Sequence, residues 1–363
     1  MEGIREELGK LGTVLLIQND CESIKKLVLN FRDSIFGVCI IPYMALFCRS
    51  YQEYAGIELI NPEVDSEIYD IRNSIKIYGE RYGRNIKRFI TLDEEQDDKF
   101  KNELKFDFLK NMNIHFNLGM FFTEDKKLIG NTQLIESMLG LQGLSEQEQH
   151  QKCFSLGYHL ASVIGSVSEG LESFLSVPQI TIKGQFPKFL YDDINTNKND
   201  IFNINFEKDE NLFLLHILSN INFVKYVLCP LFEKNNLWIF RVKYISIYHA
   251  YKGIVRMKSY MKSNRAEKLS LWKDADYIIE EGKNMFVSKF RNCMMHYNLN
   301  GDNKFSIAER KFSWDKPFFG LIEECFEGMA YGDYIERLEK LGDKIEEFIT
   351  MQFDFEGIHL KEF

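Results

Sequence analysis

The sequence is short of proline and has no paired cysteine motif. Only six of its 363 residues are proline, which leaves long stretches free to form helices. Its seven cysteines are scattered and never occur in CxxC spacing. They predict reduced, mostly buried thiols, and neither a disulfide framework nor a zinc site. We therefore expect a helical protein of a reducing compartment, the cytoplasm.

Several functional segments are also missing from the sequence. No run of about 18 apolar residues occurs, so we expect no transmembrane helix and no membrane partner. The longest apolar stretch, residues 34–47, contains Gly37 and Pro42 and is predicted to form a buried hairpin. The first residues do not have the pattern of a signal peptide. No P-loop, GxGxxG or GxSxG motif occurs, so nucleotide hydrolysis, dinucleotide chemistry and serine-hydrolase chemistry have no support.

Charge is distributed unevenly along the chain. The net charge of −9 argues against a general coat for nucleic acid. Residues 237–291, in contrast, contain twelve Lys or Arg against five acids, a local charge of +7. Residues 302–363 contain eight basic and fifteen acidic residues, a local charge of −7. The basic segment is either a solvated helix face or a local track for phosphates, and the sequence leaves both open.

Hydrophobic periodicity predicts helices over most of the chain. Residues 1–178 form a mostly helical N-terminal region of unknown role, in which residues 145–148 predict a capping box at a helix start. Residues 179–207 are predicted to be a linker, with a short strand expected at residues 179–186. Residues 208–363 contain four to six amphipathic helices with short connections, which predicts an antiparallel helical bundle. The predicted fold class is therefore all-α.

The residues best suited to chemistry lie near the end of a long bundle helix predicted at residues 266–297, before a polar loop at residues 298–304. Arg291 supplies a permanent planar cation for a phosphate. His296 is the side chain best matched to proton transfer near neutral pH. An Arg/His pair at this spacing is expected by chance, so Asn292, next to the arginine, and the bundle context carry the inference. No cluster of His, Cys and Asp offers a metal site.

The pattern Arg291-Asn292-x-x-x-His296 on a late bundle helix resembles the signature of the HEPN superfamily. The resemblance covers residues 208–353, and residues 1–178 resemble no family. It implies metal-independent RNA cleavage without a cofactor, in which a 2′-hydroxyl attacks the neighbouring phosphate and leaves a 2′,3′-cyclic phosphate. It implies that His296 is the general base or acid, and that Arg291 holds the scissile phosphate and its transition-state charge. Asn292 matches the polar position and could orient either partner.

The resemblance also implies a biological setting and partners. HEPN domains are typical of bacterial toxins and of antiviral or abortive-infection effectors, so we expect an RNA substrate and an antitoxin or regulatory protein as a partner. In addition to the catalytic residues, we expect Tyr297, Lys289 and Lys283 to contact the RNA.

Helical geometry sets a condition on this site. On a continuous helix, positions 291 and 296 differ by about 140°, so Arg291 and His296 do not share a face. Either the helix unwinds between them, or the long arginine side chain curls round the helix. Because a single Arg/His pair lacks a separate acid and base, we expect a homodimer through the C-terminal bundle, in which two motifs line one cleft.

Other interpretations of the motif remain open. Arg291 could be a helix-end cation and His296 a C-terminal cap. The bundle could also be a non-catalytic HEPN-like module that binds RNA, a nucleotide or a protein, or an interaction protein with no role in nucleic-acid chemistry.

Two further histidines and one repeated dipeptide bear on these alternatives. His216 and His249, on the first two predicted bundle helices, could reach the Arg/His cleft. Arg72-Asn73 repeats the arginine–asparagine dipeptide without a following histidine, and it is predicted to lie on a solvated helix face.

Overall fold

The structure, a computed structural model, is largely helical and contains a small sheet. It describes residues 2–58, 62–76, 82–104, 115–172, 180–198, 201–203, 205–297 and 312–362. These residues form twelve α-helices and four antiparallel strands. The mostly helical prediction is confirmed, but a strictly all-α fold is wrong because of the sheet.

The helices and the strands are numbered separately, each in chain order. The helices are α1 (Glu2–Asn30), α2 (Ser34–Ala55), α3 (Pro62–Ser74), α4 (Tyr82–Glu103), α5 (Thr132–Leu139), α6 (Glu146–Glu172), α7 (Lys208–Asn222), α8 (Leu237–Asn264), α9 (Lys273–Met285), α10 (Ser288–His296), α11 (Leu321–Cys325) and α12 (Tyr331–Thr350). The strands are β1 (Leu118–Thr123), β2 (Leu128–Asn131), β3 (Phe189–Ile194) and β4 (Lys361–Glu362).

A single helix, α2, replaces the hairpin predicted for residues 34–47. Asp33 caps its start, because the carboxylate accepts hydrogen bonds from the backbone N–H groups of Ile35 and Phe36 at 2.8 and 3.1 Å. Pro42 lies inside the helix without ending it. The hairpin prediction was wrong because a proline inside a helix costs about 3 kcal/mol, and burial of the surrounding apolar side chains offsets that cost.

The capping box predicted at residues 145–148 is present. The backbone N–H and the hydroxyl of Ser145 donate to one carboxylate oxygen of Glu148 at 2.8 and 2.6 Å. The backbone N–H of Glu148 donates back to the serine hydroxyl at 3.4 Å. The helix that follows is α6, and it is described as far as Glu172.

The sheet joins all three regions predicted from the sequence. Its strand order is β2-β1-β3-β4, and β1 pairs with β3 in a register that runs from Leu118 opposite Ile194 to Thr123 opposite Phe189. The linker strand is therefore β3, whereas the described residues 180–186 form no strand. The buried apolar residues form one hydrophobic cluster that includes residues of all three regions.

Two apolar helical segments are, by length and composition alone, long and apolar enough to cross a membrane. They are Ser34–Ala55 and Lys208–Leu231, which continues α7 through a π-helical turn. The protein buries 61% of the most apolar window of the first and 78% of that of the second. Length and composition alone do not distinguish a buried core helix from a membrane span.

The helix predicted at residues 266–297 is divided into three pieces. A 3₁₀ turn at Ala266–Trp272 leads into α9, and α10 follows after a break at Phe286 and Val287, whose backbone is not helical. The ring of Phe286 packs against that of Tyr248 at a centroid distance of 5.3 Å. The break separates α9 from α10, and α10 carries the Arg/His motif.

Candidate functional site

The motif helix α10 is continuous from Ser288 to His296. Tyr297 follows in a left-handed conformation, with φ of 51°, and ends the helix. The helix therefore does not unwind between Arg291 and His296. The arginine side chain instead folds onto its neighbour: Nε and Nη2 of Arg291 donate to Oδ1 of Asn292 at 3.2 and 2.6 Å. Asn292 holds the arginine, as a polar residue at this position could.

Tyr297 fixes the end of α10 to the core. It is fully buried, and its hydroxyl donates to Oδ2 of Asp20 at 2.5 Å. The guanidinium of Arg241 pairs with the same carboxylate and lies 3.9 Å from the centre of the tyrosine ring. Nε and Nη2 of Arg241 also donate to the carbonyl of Met294 at 3.1 and 2.7 Å. Because Tyr297 is buried and bonded, its role here is structural, and we do not retain it as an RNA contact.

A cavity of about 300 Å³ lies beside α10, α8 and the end of α3. Its wall contains four cationic side chains and two imidazoles, and none of its lining residues is acidic. Among the residues that the structure describes, no carboxylate forms an ion pair with Lys252, Arg256 or Arg291. The lining residues are Lys76, Tyr248, His249, Lys252, Arg256, Arg291, Met295 and His296.

The basic segment of the sequence divides into two groups in the structure. Lys252 and Arg256 on α8 and Arg291 on α10 face the cavity. Most other cations of the segment are paired with acids, as Lys243 is with Glu339 at 2.5 Å. Lys283 and Lys289 are exposed and do not line the cavity. Lys283 pairs with Glu280 at 2.8 Å.

His296 contacts two residues of the N-terminal region. Its Nδ1 lies 2.6 Å from Oε2 of Glu53, at the end of α2. Nη2 of Arg72, on α3, lies 3.4 Å from the same Nδ1 and 3.8 Å from Oε2 of Glu53. Nη1 of Arg72 donates to Oδ1 of Asn73 at 3.2 Å, so both arginine–asparagine dipeptides hold their arginine in the same way.

The prediction of a solvated helix face for Arg72-Asn73 was wrong. The arginine is only 3% exposed, because the last turn of α3 lies against the end of α2 and against His296. The dipeptide alone could not show this, since the partners of Arg72 come from distant parts of the chain.

Glu53 is ionised at neutral pH. Burial raises the pKa of its carboxyl group, but the hydrogen bond from His296 and the positive charges of Arg72 and Arg49 lower that pKa to about 2. An ionised carboxylate only accepts hydrogen bonds, so Nδ1 of His296 carries the hydrogen. Nε2 is then the ring nitrogen that does not contact Glu53.

Of the two histidines that the sequence singled out, only His249 reaches the cavity. It is 5% exposed, and neither ring nitrogen has a hydrogen-bond partner among the described residues. Burial, together with the charges of Lys76, Arg72, Arg291 and Lys252, lowers its pKa to about 3, so the imidazole is neutral.

His216 is a residue of the core. It is fully buried and packs edge-on against Phe89, with ring centroids 4.5 Å apart. It does not line the cavity.

The contribution of the N-terminal region to this site was not predicted from the sequence. Glu53 gave no signal, because a single glutamate in an apolar helix has many uses. Lys76 follows the repeated arginine–asparagine dipeptide, and that dipeptide was the one available hint. The polar loop predicted at residues 298–304 lies outside the described residues. Within those residues, no group of three or more His, Cys, Asp or Glu is arranged to hold a metal ion.

Comparison with protein-family models, curated proteins and solved structures gives no match. The resemblance to the HEPN superfamily therefore rests on Arg291, Asn292 and His296 and on their position in a helical bundle.

Proposed function

We propose that this protein is a metal-independent endoribonuclease and that the cavity beside His296 is its active site. The observation that best supports the proposal is that Arg291 and His296 line one cavity with three further cations and no acidic lining residue. Such a cavity favours a phosphodiester, because each cation offers a charge-assisted hydrogen bond to a phosphate oxygen. A histidine beside the phosphate is suited to moving the protons of the reaction.

The proposed reaction is an internal transfer at phosphorus. The substrate 2′-oxygen forms a bond to the adjacent phosphorus while the bond from phosphorus to the 5′-oxygen breaks. One proton leaves the 2′-hydroxyl and one is added to the 5′-oxygen, so the products are a 2′,3′-cyclic phosphate and a 5′-hydroxyl. His296 transfers one of these protons through Nε2. Arg291 stabilises the extra negative charge on the phosphate oxygens in the transition state.

The remaining cations extend the site along the RNA backbone. Lys252 and Arg256 are four residues apart on α8 and therefore lie on one face of the helix, about 6 Å apart along its axis. We assign them to the phosphates that flank the scissile bond. This arrangement makes binding dependent on salt and largely independent of base sequence.

The homodimer remains a proposal, and so does the toxin or antiviral role in the cytoplasm with an antitoxin or regulatory protein. The need for a separate acid still supports a shared site, because the second imidazole of the cavity, His249, has a pKa of about 3 and carries no acidic proton at neutral pH. A mixture of Arg291→Ala and His296→Ala proteins tests it directly. Recovered cleavage in the mixture requires sites built from two chains, and a protein that cuts RNA as a monomer contradicts the shared site.

The ribonuclease proposal is tested with total RNA in the presence of EDTA. We expect the wild-type protein to cut the RNA and to leave 2′,3′-cyclic phosphate ends, and we expect Arg291→Ala and His296→Ala to lose that activity. The matched controls are Arg32→Ala and His150→Ala, which change exposed residues away from the cavity and should cut like the wild type. Cleavage that needs Mg²⁺, or that survives His296→Ala, contradicts the mechanism.

A non-catalytic role in binding is the second candidate. It is favoured by the volume of about 300 Å³, which is at the lower end for a small-ligand pocket and suits one nucleotide. In that case the wild-type protein binds RNA or a mononucleotide in a salt-dependent manner without cutting, and Arg291→Ala weakens the binding.

A further inference from the structure

We propose that the N-terminal region supplies part of the catalytic site: Glu53 on α2 positions His296, and Arg72 on α3 holds Glu53 in place. The inference rests on the proposed ribonuclease function and deepens it. It gives a role to a part of the chain for which the sequence indicated none.

The contacts of His296 indicate how this positioning works. The 2.6 Å contact between Nδ1 and Oε2 of Glu53 is a hydrogen bond between an imidazole N–H and an ionised carboxylate. It fixes both the rotation of the ring and the nitrogen that carries the hydrogen. Such a carboxylate partner is a recurring device for holding a functional histidine, because it keeps the other nitrogen directed at the substrate.

Arg72 completes the arrangement from the other side of the carboxylate. A guanidinium only donates hydrogen bonds, so it cannot bond to an Nδ1 that already carries a hydrogen. It forms an ion pair with Oε2 of Glu53, 3.8 Å away. At 3% exposure the arginine is largely removed from water, and a buried cation is tolerated when it has an anionic partner. Arg72 therefore stabilises the ionised form of Glu53 and limits where the carboxylate can lie.

The contact between α2 and the motif helix is continuous and not restricted to one ion pair. The ring of Phe47 packs edge-on against the ring of Tyr297 at a centroid distance of 6.2 Å. One turn later, the hydroxyl of Ser50 donates to the carbonyl of Met295 at 2.8 Å. Glu53 follows after three more residues, on the same side of α2. This spacing aligns α2 along the end of the motif helix, which is the support that a precisely placed histidine needs.

The kinetic test compares Glu53→Gln with Glu53→Asp in the full-length protein. Glutamine keeps the shape but removes the charge, and aspartate keeps the charge but withdraws it by one methylene. We expect kcat to fall about 10- to 100-fold in Glu53→Gln, with a smaller fall in Glu53→Asp and little change in KM. Arg72→Met should lower kcat in the same way. The matched control is Glu281→Gln, which breaks the 2.7 Å pair with Arg337 outside the cavity and should leave kcat unchanged.

A second measurement does not depend on RNA cleavage. Nitrogen NMR of the His296 ring reports which nitrogen carries the hydrogen in the neutral form. We expect the wild-type ring to hold it on Nδ1, and we expect Glu53→Gln to shift the ring toward a mixture of both forms. His296→Ala assigns the signal.

The outcomes separate this inference from the proposed function. If the wild-type protein cuts RNA and both Glu53 variants keep the wild-type kcat, the positioning role is overturned and the ribonuclease stands. If the wild-type protein does not cut RNA, the ribonuclease proposal fails, and the NMR spectrum still decides whether Glu53 controls His296. An unchanged spectrum in Glu53→Gln overturns that control.

Discussion

Oε2 of Glu53 lies 2.6 Å from Nδ1 of His296, although 243 residues separate the two in the chain. The contact brings a helix of the N-terminal region to the Arg/His motif. It also makes the geometry of the histidine sensitive to changes far from it in sequence.

The contacts of the Glu53 carboxylate should stabilise the fold at neutral pH, and this stabilisation should be lost in acid. Its folded-state pKa of about 2 lies below the ordinary value of 4.5, so the stabilisation is complete above about pH 4.5 and is lost as the pH falls toward 2. Because the side chain is partly exposed, we expect a contribution of only about 1 kcal/mol. Urea unfolding of wild-type and Glu53→Gln proteins measures it. Their difference in unfolding free energy should shrink from pH 6 to pH 3, and a difference that grows instead contradicts the assignment.

His249 should make the protein less stable in mild acid. Its folded-state pKa of about 3 lies below the ordinary value of 6.5, so the unfolded chain takes up a proton that the folded chain does not. Stability is therefore complete above pH 6.5 and falls as the pH drops toward 3. We expect wild-type protein to lose about 1 to 2 kcal/mol more than His249→Asn between pH 7.5 and pH 5. Thermal or urea unfolding in buffers free of phosphate gives the comparison.

Two other histidines provide controls for that measurement. His216 is buried, its pKa is also lowered to about 3, and His216→Asn should behave like His249→Asn. His150 is exposed, and His150→Asn should follow the wild-type pH dependence. If His150→Asn removes as much of the acid sensitivity, burial is not its cause.

The cations of α8 should dominate the salt dependence of RNA binding. Lys252→Ala and Arg256→Ala should each weaken binding to single-stranded RNA of any sequence and lower the slope of log K against log salt by about 0.7. Lys283→Ala serves as the control, because Lys283 is exposed and paired with Glu280 outside the cavity. An equal change in slope for Lys283→Ala would extend the RNA path over α9, as the sequence predicted.

The hydroxyl of Tyr297 should stabilise the fold. Tyr297→Phe removes its 2.5 Å bond to Asp20 inside the core, and we expect a loss of about 1 to 3 kcal/mol in the free energy of unfolding. Tyr158→Phe is the matched control, since that side chain is 66% exposed and should change stability by less than about 0.5 kcal/mol. Equal stabilities for the two variants would show that the buried bond contributes nothing.

Gly282 on α9 should not tolerate a larger residue. A Cβ at this position would meet the ring of Tyr251 at 2.2 Å, so Gly282→Ala must displace the ring. We expect destabilisation by about 1 to 3 kcal/mol despite the higher helix propensity of alanine. At Gly157 on α6, an added Cβ meets nothing within 4 Å, and Gly157→Ala should stabilise by about 0.5 to 1 kcal/mol. Thermal unfolding of both variants should give shifts of opposite sign.

Local patterns in the sequence predicted local structure well. The capping box before α6 depends on Ser145 and Glu148 alone, and it is present. The helical content follows from periodicity and the scarcity of proline. The predicted hairpin at residues 34–47 failed because a local rule about Pro42 competed with burial in the core, which a local pattern does not contain.

Part of the candidate site was likewise predictable from local sequence, and part was not. Arg291, Asn292 and His296 are adjacent on one helix, so their spacing was visible in the sequence. Glu53 and Arg72 reach His296 across more than 200 residues of chain, through contacts with no local signature. His249 is an intermediate case. Its place on a bundle helix was predictable from the sequence, but the direction of its side chain was not.

The sequence by itself determined the helical character, the basic segment and the motif, because these depend on residue type and on spacing within one element. Only the tertiary structure decided the sheet, the break before α10, the burial of Tyr297 and the carboxylate beside His296. Each depends on how distant elements pack, since Glu53 on α2 and Arg72 on α3 contact the histidine only because these helices lie beside the end of α10.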